Sequence, residues 1–347
     1  MKKSLNKSNY YSRLLIYILL SLLIFGVVII SVYSPSKVSS ESNLLIEHNV
    51  DDSKITKNED NDPYWENRLY TPTMFIELNG IWFIVDCWHH RVLWSYDPSI
   101  PIKNWGVVDS KLAGPHSIAY DGHYFGVDDT GNNALVFYEF IAGKFKRVNY
   151  IENVGIRPHR IVYDNQKKAF YVVTAGSQEM FKIEYSDSES FEITKRWSLE
   201  HINNEYIRTF TIVDNFIYFT SPGEIIKTSN DDTFKVISRY KMIEGFEDLN
   251  DIYHTGDKFI ITAKDAIGVI QSMDDVNEIV NLKEEMGIKG FPYYVSQYDD
   301  LSISIPEIRP SSAIKIYTTK DLLYKQTINE SGPPSESSLE RSKEYNM

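Results

Sequence analysis

The chain has a single cysteine, Cys87, in 347 residues, so no intrachain disulfide can hold it together. A lone thiol beside Trp88 reads either as a small semi-buried residue, the usual fate of free cysteine, or as a nucleophile, which would need a base within reach. Positive charge is also scarce. Lys and Arg number 36 against 48 Asp and Glu, a formal net charge of -12. Sequence-independent nucleic-acid binding depends on phosphate neutralisation, so nucleic acid is excluded as an expected partner. P-loop, GxSxG, HExxH and EF-hand patterns are absent. Asp and Asn abound in turns, but never at the spacing of a calcium loop.

One long uncharged run is present, Leu14 to Tyr33. As a helix of 20 residues it would extend about 30 Å, enough to cross a hydrocarbon core. Lys2, Lys3, Lys7 and Arg13 precede it, and Glu41, Glu47, Asp51 and Asp52 follow. The positive-inside rule therefore predicts a cytoplasmic basic N-terminus (1–13), a transmembrane signal anchor (14–33) and an extracytoplasmic remainder. The alternative is a cleaved secretory signal and a secreted protein. No cysteine occurs between the apolar run and Cys87, which excludes lipoprotein attachment just after the run. Residues 34–62 are polar and read as a flexible linker. Residues 329–347 read as a disordered tail.

Between these lies a phrase repeated six times. Its clearest copy is Pro115-His116-Ser117-Ile118-Ala119-Tyr120-Asp121-Gly122, then His123-Tyr124-Phe125-Gly126-Val127-Asp128-Asp129, then Thr130-Gly131-Asn132-Asn133-Ala134-Leu135-Val136-Phe137-Tyr138. Equivalent starts are Pro72, Pro115, Pro158, Ile207, Leu249 and Pro292, at intervals of 43, 43, 49, 42 and 43 residues. Each copy reads strand, turn, strand, polar turn, strand, with turn pairs such as Asn79-Gly80 and Asp121-Gly122 that tolerate positive φ. A period of about 40–45 residues with several short strands is that of a propeller blade. The alternative for evenly spaced short strands is a two-sheet sandwich, but the same turn recurring in the same slot six times favours the ring. The expected fold is all-β, a six-bladed β-propeller over residues 63–328, with the N-terminal transmembrane helix outside it.

The second repeat resembles the NHL repeat, whose pattern runs Pro-x-Gly-Ile-Ala-x-Asp and then Ala-Asp-x-Gly-Asn-x-Arg-Ile. Val85-Asp86-Cys87-Trp88-His89-His90-Arg91-Val92-Leu93 is similar to the second half of that unit. The resemblance is clear in repeats one to three and faint in four to six. It implies a fold rather than an activity. In NHL-like blades the residue after the motif proline lies near the channel mouth. That slot holds Thr73, His116, His159, Arg208, Asn250 and Tyr293, and Arg160 adjoins it. A second ring, at the end of the second strand, includes Asp86 and Asp129, which either cap Asx turns or face a ligand. His89, His90 and Arg91 form either a polar lip or a solvated loop.

Pro115-His116 and Pro158-His159 also resemble motifs of two propeller enzymes, the zinc-dependent peptidyl-hydroxyglycine lyases and the streptogramin lyases. That resemblance implies His116 and His159 as ligands of a divalent metal such as zinc, Arg208 or Arg160 as a charge stabiliser and Tyr293 as an acid or base. Here the two histidines lie in neighbouring blades, whereas the zinc lyases take theirs from alternate blades, and no third histidine shares the slot. Catalytic zinc usually has three protein ligands. The expected function is therefore recognition, by a membrane-anchored extracytoplasmic propeller, of a glycan, peptide or envelope protein at the channel mouth. Trp82, Trp88, Trp94 and Trp105 are available for stacking. The alternative is a metal-dependent lyase or hydrolase built on His116, His159 and Arg208.

Overall fold

The computed structural model describes residues 67–185, 190–203, 205–309 and 311–332. The expected cytoplasmic segment, transmembrane helix and linker lie outside the described residues. Among the described residues no helix is long and apolar enough to cross a membrane.

Six antiparallel sheets follow one another along the chain. Blade 1 contains β1 (Pro72–Leu78), β2 (Ile81–Asp86), β3 (Arg91–Ser95) and β4 (Gly106–Asp109). Blade 2 contains β5 (Ile118–Tyr120), β6 (Tyr124–Asp129), β7 (Ala134–Ile141) and β8 (Lys144–Ile151). Blade 3 contains β9 (Pro158–Asp164), β10 (Ala169–Thr174), β11 (Glu179–Tyr185) and β12 (Phe191–Ser198). Blade 4 contains β13 (Thr209–Val213), β14 (Phe216–Ser221), β15 (Glu224–Ser229) and β16 (Val236–Lys241). Blade 5 has three strands, β17 (Leu249–His254), β18 (Phe259–Ala263) and β19 (Ala266–Ile270). Blade 6 contains β20 (Phe291–Pro292), β21 (Ser296–Asp299), β22 (Ser302–Ile308), β23 (Ser312–Thr318) and β24 (Tyr324–Ser331). The chain is a six-bladed β-propeller. β24 runs on to Ser331, inside the segment expected as a tail (329–347), and the Ser331 hydroxyl accepts the Leu69 amide at 3.0 Å; residues 333–347 of that segment lie outside the described residues.

Sequence patterning explains the layering. β6, β10 and β18 are buried along their whole lengths, as their apolar runs require of strands covered on both faces. Outer strands such as β12 and β16 alternate between exposed and partly buried residues. Six apolar clusters fill the six interfaces between blades. Phe83 meets Phe125 between blades 1 and 2, with ring centroids 5.2 Å apart, and Phe137 meets Phe170 between blades 2 and 3, also at 5.2 Å. In blade 5 a 3-10 segment, Met273–Glu278, covers the outer side of β19 and buries Met273 and Val276 in the cluster shared with blade 4.

Among the described residues no strand is exchanged between the first and last blades. The ring closes by packing and by hydrogen bonds from serine side chains: Ser304 Oγ donates to the Phe75 carbonyl at 2.9 Å and Ser312 Oγ to that of Tyr70 at 2.5 Å. The innermost strands have no neighbouring strand on their channel side, and side chains of adjacent blades satisfy part of their backbone. Thr73 Oγ1 donates to the His116 carbonyl at 2.8 Å, Thr130 Oγ1 to that of Pro158 at 2.7 Å, and Asn250 Nδ2 to that of Pro292 at 2.8 Å.

Candidate functional site

The slot residues reach the mouth through a backbone irregularity. In blade 1, Pro72 pairs with Asp86 and Met74 with Val85, which leaves Thr73 as an extra residue. His159 is extra in the same way in blade 3, and Asn250 in blade 5. A β-bulge of this kind breaks strand alternation and re-aims a side chain. His116 and Arg208 stand just before β5 and β13, and Tyr293 just after β20. All six, Thr73, His116, His159, Arg208, Asn250 and Tyr293, line one cavity of about 290 Å³.

The two imidazoles are in tilted contact, with centroids 4.0 Å apart and planes inclined by 33°. Their tautomers follow from their partners. Thr130 Oγ1 lies 3.0 Å from His116 Nδ1, and its single proton has two acceptors, the Pro158 carbonyl at 2.7 Å and Asp128 Oδ1 at 3.0 Å. His116 Nδ1–H must therefore donate to Thr130, and Nε2 keeps its lone pair. Tyr294 Oη lies 2.8 Å from His159 Nδ1 and 3.0 Å from the His159 carbonyl, which can only accept. The phenol proton satisfies that carbonyl, so His159 also carries its proton on Nδ1. Burial, followed by the charges of Arg157 and Arg208, pushes His116 down to about 3. Burial and then the neighbouring His116 push His159 well below the usual imidazole range. Both rings are neutral acceptors at pH 7.

Cys87 Sγ lies 3.8 Å from His116 Nε2, so a base does stand beside the thiol. Burial first, then Asp128 and Asp86, push the thiol well above its ordinary range. Transfer of its proton to an imidazole that titrates near 3 is uphill on both sides, so the pair is not poised as nucleophile and base.

The rest of the lining is cationic. Arg157, Arg208, Lys264 and Arg309 face a single carboxylate, Asp248. Arg208 donates to Asn250 Oδ1, and its guanidinium lies 5.3 Å from the Tyr206 ring centroid. Arg309 lies 3.9 Å above Trp88. Arg157, Tyr206 and Asp248 occupy the repeat position two residues before the slot, together with Thr71 and Phe291, which also line the cavity. The repeat alignment carries this second ring, but it becomes visible only when the position before the motif proline is compared as well.

Other sequence candidates lie elsewhere. Asp86 is fully buried; its Oδ1 accepts the Tyr70 and Thr71 amides at 2.9 and 3.1 Å, and its Oδ2 meets His89 Nδ1 at 2.8 Å and Arg91 Nε at 3.0 Å. Asp129 accepts the Ala113 amide at 2.6 Å, one repeat on from Tyr70. His90 Nδ1 accepts the Gly114 amide at 3.0 Å. Asp86, Asp129, His89, His90 and Arg91 thus hold the loops that lead into inner strands, and none of them lines the cavity at the mouth. Arg160 does not join His159 there. Once the bulge has passed, β9 carries it into a separate cavity of about 700 Å³ at the other end of the inner strands, where it lies 4.4 Å over the Tyr294 ring.

The zinc implied by the lyase resemblance does not fit this donor set. The nearest further donor is a protonated thiol, and Arg157 and Arg208 oppose a cation. Among the described residues no group of three or more His, Cys, Asp or Glu is placed to hold a metal.

No family model matches the chain, and no curated protein matches its sequence. Solved structures share its fold. A protein described as a candidate 6-phosphogluconolactonase from Bacteroides uniformis is similar with a TM-score of 0.54 at 11% identity, over 73% of this chain and 83% of that one. A counterpart from Bacteroides fragilis gives 0.54 at 12% identity, over 76% and 85%. Hydrazine synthase of Kuenenia stuttgartiensis gives 0.50 at 14% identity, over 76% and 87%. At these identities the likeness is one of fold alone.

Proposed function

We propose that this chain is a recognition propeller of NHL-like type, tethered by the Leu14–Tyr33 segment on the extracytoplasmic side, that binds a small polar ligand at one mouth of its channel. The observation that carries this reading is convergence: the same repeat slot in six blades delivers Thr73, His116, His159, Arg208, Asn250 and Tyr293 to one cavity. The six include a cation, two imidazoles and a phenol, and the side chains of Thr73, His116, His159, Arg208 and Asn250 are held by hydrogen bonds to neighbours before any ligand arrives. Preorganisation of this kind lowers the entropic cost of binding.

The lyase or hydrolase reading has one observation in its favour, the fixed Nε2 lone pair of His116 beside Arg208 and Tyr293. A general base works best when its pKa is near the operating pH. An imidazole held near 3 is a hydrogen-bond acceptor and a weak base, which favours binding over proton abstraction. The test is a thermal-shift and calorimetric screen of the purified chain against glycans, peptides and small metabolites, with Asn250→Ala and Tyr293→Phe variants alongside. A ligand that stabilises the wild type and loses affinity in these variants supports the reading. Ligands that bind equally well to the variants place recognition elsewhere.

A further inference from the structure

The recognition reading leaves the chemistry of the ligand open, and the charges at the mouth decide it. The chain as a whole is acidic, at -12, yet this cavity gathers four cations against one carboxylate. Arg157 is the most informative of them. It immediately precedes Pro158, where the previous repeat has Gly114, and the two backbones match, with φ of 58° and 63°. Position 157 thus takes a left-handed conformation that suits glycine and strains arginine. The strain is enforced by the backbone: the Arg157 amide donates to Asn133 Oδ1 at 2.8 Å, and its carbonyl accepts the Ala175 amide at 2.8 Å. Arg157 Nε is buried without a hydrogen-bond partner. A strained arginine with an unpartnered buried donor, lining a cavity with a second arginine, is arranged for an anion that brings acceptor oxygens.

The histidines add a second requirement. With Nδ1 of each ring committed to Thr130 or Tyr294, what remains is an Nε2 lone pair (shared in His116 with the weak thiol donor of Cys87 at 3.8 Å), which accepts hydrogen bonds and repels anionic oxygens. A bare anion satisfies the arginines but not these acceptors, whereas a molecule with an acidic group and hydroxyls satisfies both. Trp88, Tyr206 and Phe291 supply ring faces against which a pyranose C–H face packs. A volume of about 290 Å³ admits one small molecule rather than a polymer.

We infer that the mouth binds a small hydroxylated acid, a sugar acid or a sugar phosphate, with its anionic group between Arg157 and Arg208 and its hydroxyls donated to His116 and His159. The inference rests on the recognition reading and narrows it.

The experiment is calorimetric titration of the full-length chain in detergent with four probes: glucuronate, glucose 6-phosphate, glucose and inorganic phosphate. At least one of the two acids binds at least tenfold more tightly than glucose and than inorganic phosphate, and its affinity falls as salt rises. Which acid wins distinguishes a carboxylate from a phosphate ester. Arg157→Gln and Arg208→Gln each weaken that acid at least tenfold. Lys146→Gln, the same charge change on an exposed outer strand, leaves it unchanged. His116→Lys is expected to improve inorganic phosphate relative to the hydroxylated acid. If glucose binds as tightly as the acids, the anion assignment is overturned while recognition at the mouth stands. If none of the four binds, the hydroxylated-acid assignment falls, and the wider screen decides separately whether the mouth binds anything. Equal losses in Lys146→Gln and Arg157→Gln would reduce the effect to general charge and overturn the site.

Discussion

Arg157 shows how one residue can be set against its own backbone. An L-residue in the left-handed region costs about 1–2 kcal/mol, while glycine restores freedom to the unfolded chain worth somewhat less. Arg157→Gly is therefore expected to leave stability unchanged or raise it by up to about 1 kcal/mol, measured by urea unfolding, even as it empties the mouth of a charge. A clear loss of stability would mean that the guanidinium is a structural prop. His116 carries the opposite signature. Its folded pKa, about 3, lies below the unfolded value of 6.5, so the unfolded chain takes up protons that the folded chain refuses. Stability from this residue is whole above pH 6.5 and declines as pH falls toward 3. Between pH 7 and pH 5 the decline is about 2 kcal/mol. Asp128 faces the same region and is pushed by burial up to about 7, which gives the reverse slope, so the contrast of wild type with His116→Gln isolates the imidazole. Measured by urea unfolding, the free energy of the wild type relative to His116→Gln should fall by that amount between pH 7 and pH 5. Parallel pH profiles would show that the ring is not the source. At this scale the slot residues could be picked out of the sequence because a repeat gives each blade the same address. Arg157 could not, because its signal is a backbone angle. Asp86 and Asp129 looked like site residues because a carboxylate at a strand end is as well suited to a loop amide as to a ligand, and here amides stand 2.6 to 3.1 Å away.

Strands were legible because their apolar runs are continuous in the middle of each blade and interrupted at turns with Gly, Asn and Asp. Bulges were not, since an extra residue has no composition of its own; Thr73, His159 and Asn250 share only their position. The outer element of blade 5 was equally hidden, as the 3-10 segment Met273–Glu278 covers β19 with apolar side chains in place of a hydrogen-bonded strand. Packing between blades is close at Gly126 in β6. A Cβ there would lie 2.8 Å from Ile161 Cδ1 in blade 3 and 2.9 Å from the Phe137 ring. Gly126→Ala should therefore destabilise by about 1–3 kcal/mol through overpacking. Ile161→Val in the same chain should recover part of the loss, as a double-mutant cycle by denaturant unfolding would show. Additive losses would mean that the two side chains do not meet.

For the whole molecule, the repeat period foretold a ring of six, but not how the ring closes. Closure depends on serines and aromatic packing specific to the two end blades: Ser304, Ser312 and Ser331 from blade 6, and Tyr298 of blade 6 against Trp82 of blade 1, with ring centroids 4.9 Å apart. Ser304→Ala removes a buried bond across this seam and should cost about 1 kcal/mol or somewhat more, whereas Ser312→Ala/Ser304→Ala should raise protease sensitivity near the seam first. Cleavage starting between blades 3 and 4 would contradict the seam as the weak point. The proposed topology has its own check: protease added to intact cells should digest the propeller and spare the N-terminal stub, and a protected propeller would reverse the orientation.

Closure without strand exchange also orders the molecule in time. A blade of about 43 residues leaves the ribosome in a few seconds at about 5–20 residues per second, while hairpins form in about 1–10 μs. Every blade is complete in its own stretch of sequence, so none must wait for the C-terminus to supply a missing strand. The cavity is different: it takes residues from blade 1 through blade 6 and comes into being only when Arg309 has been added and the last blade has met the first. A nascent or truncated chain can thus be almost entirely folded and still blind to its ligand.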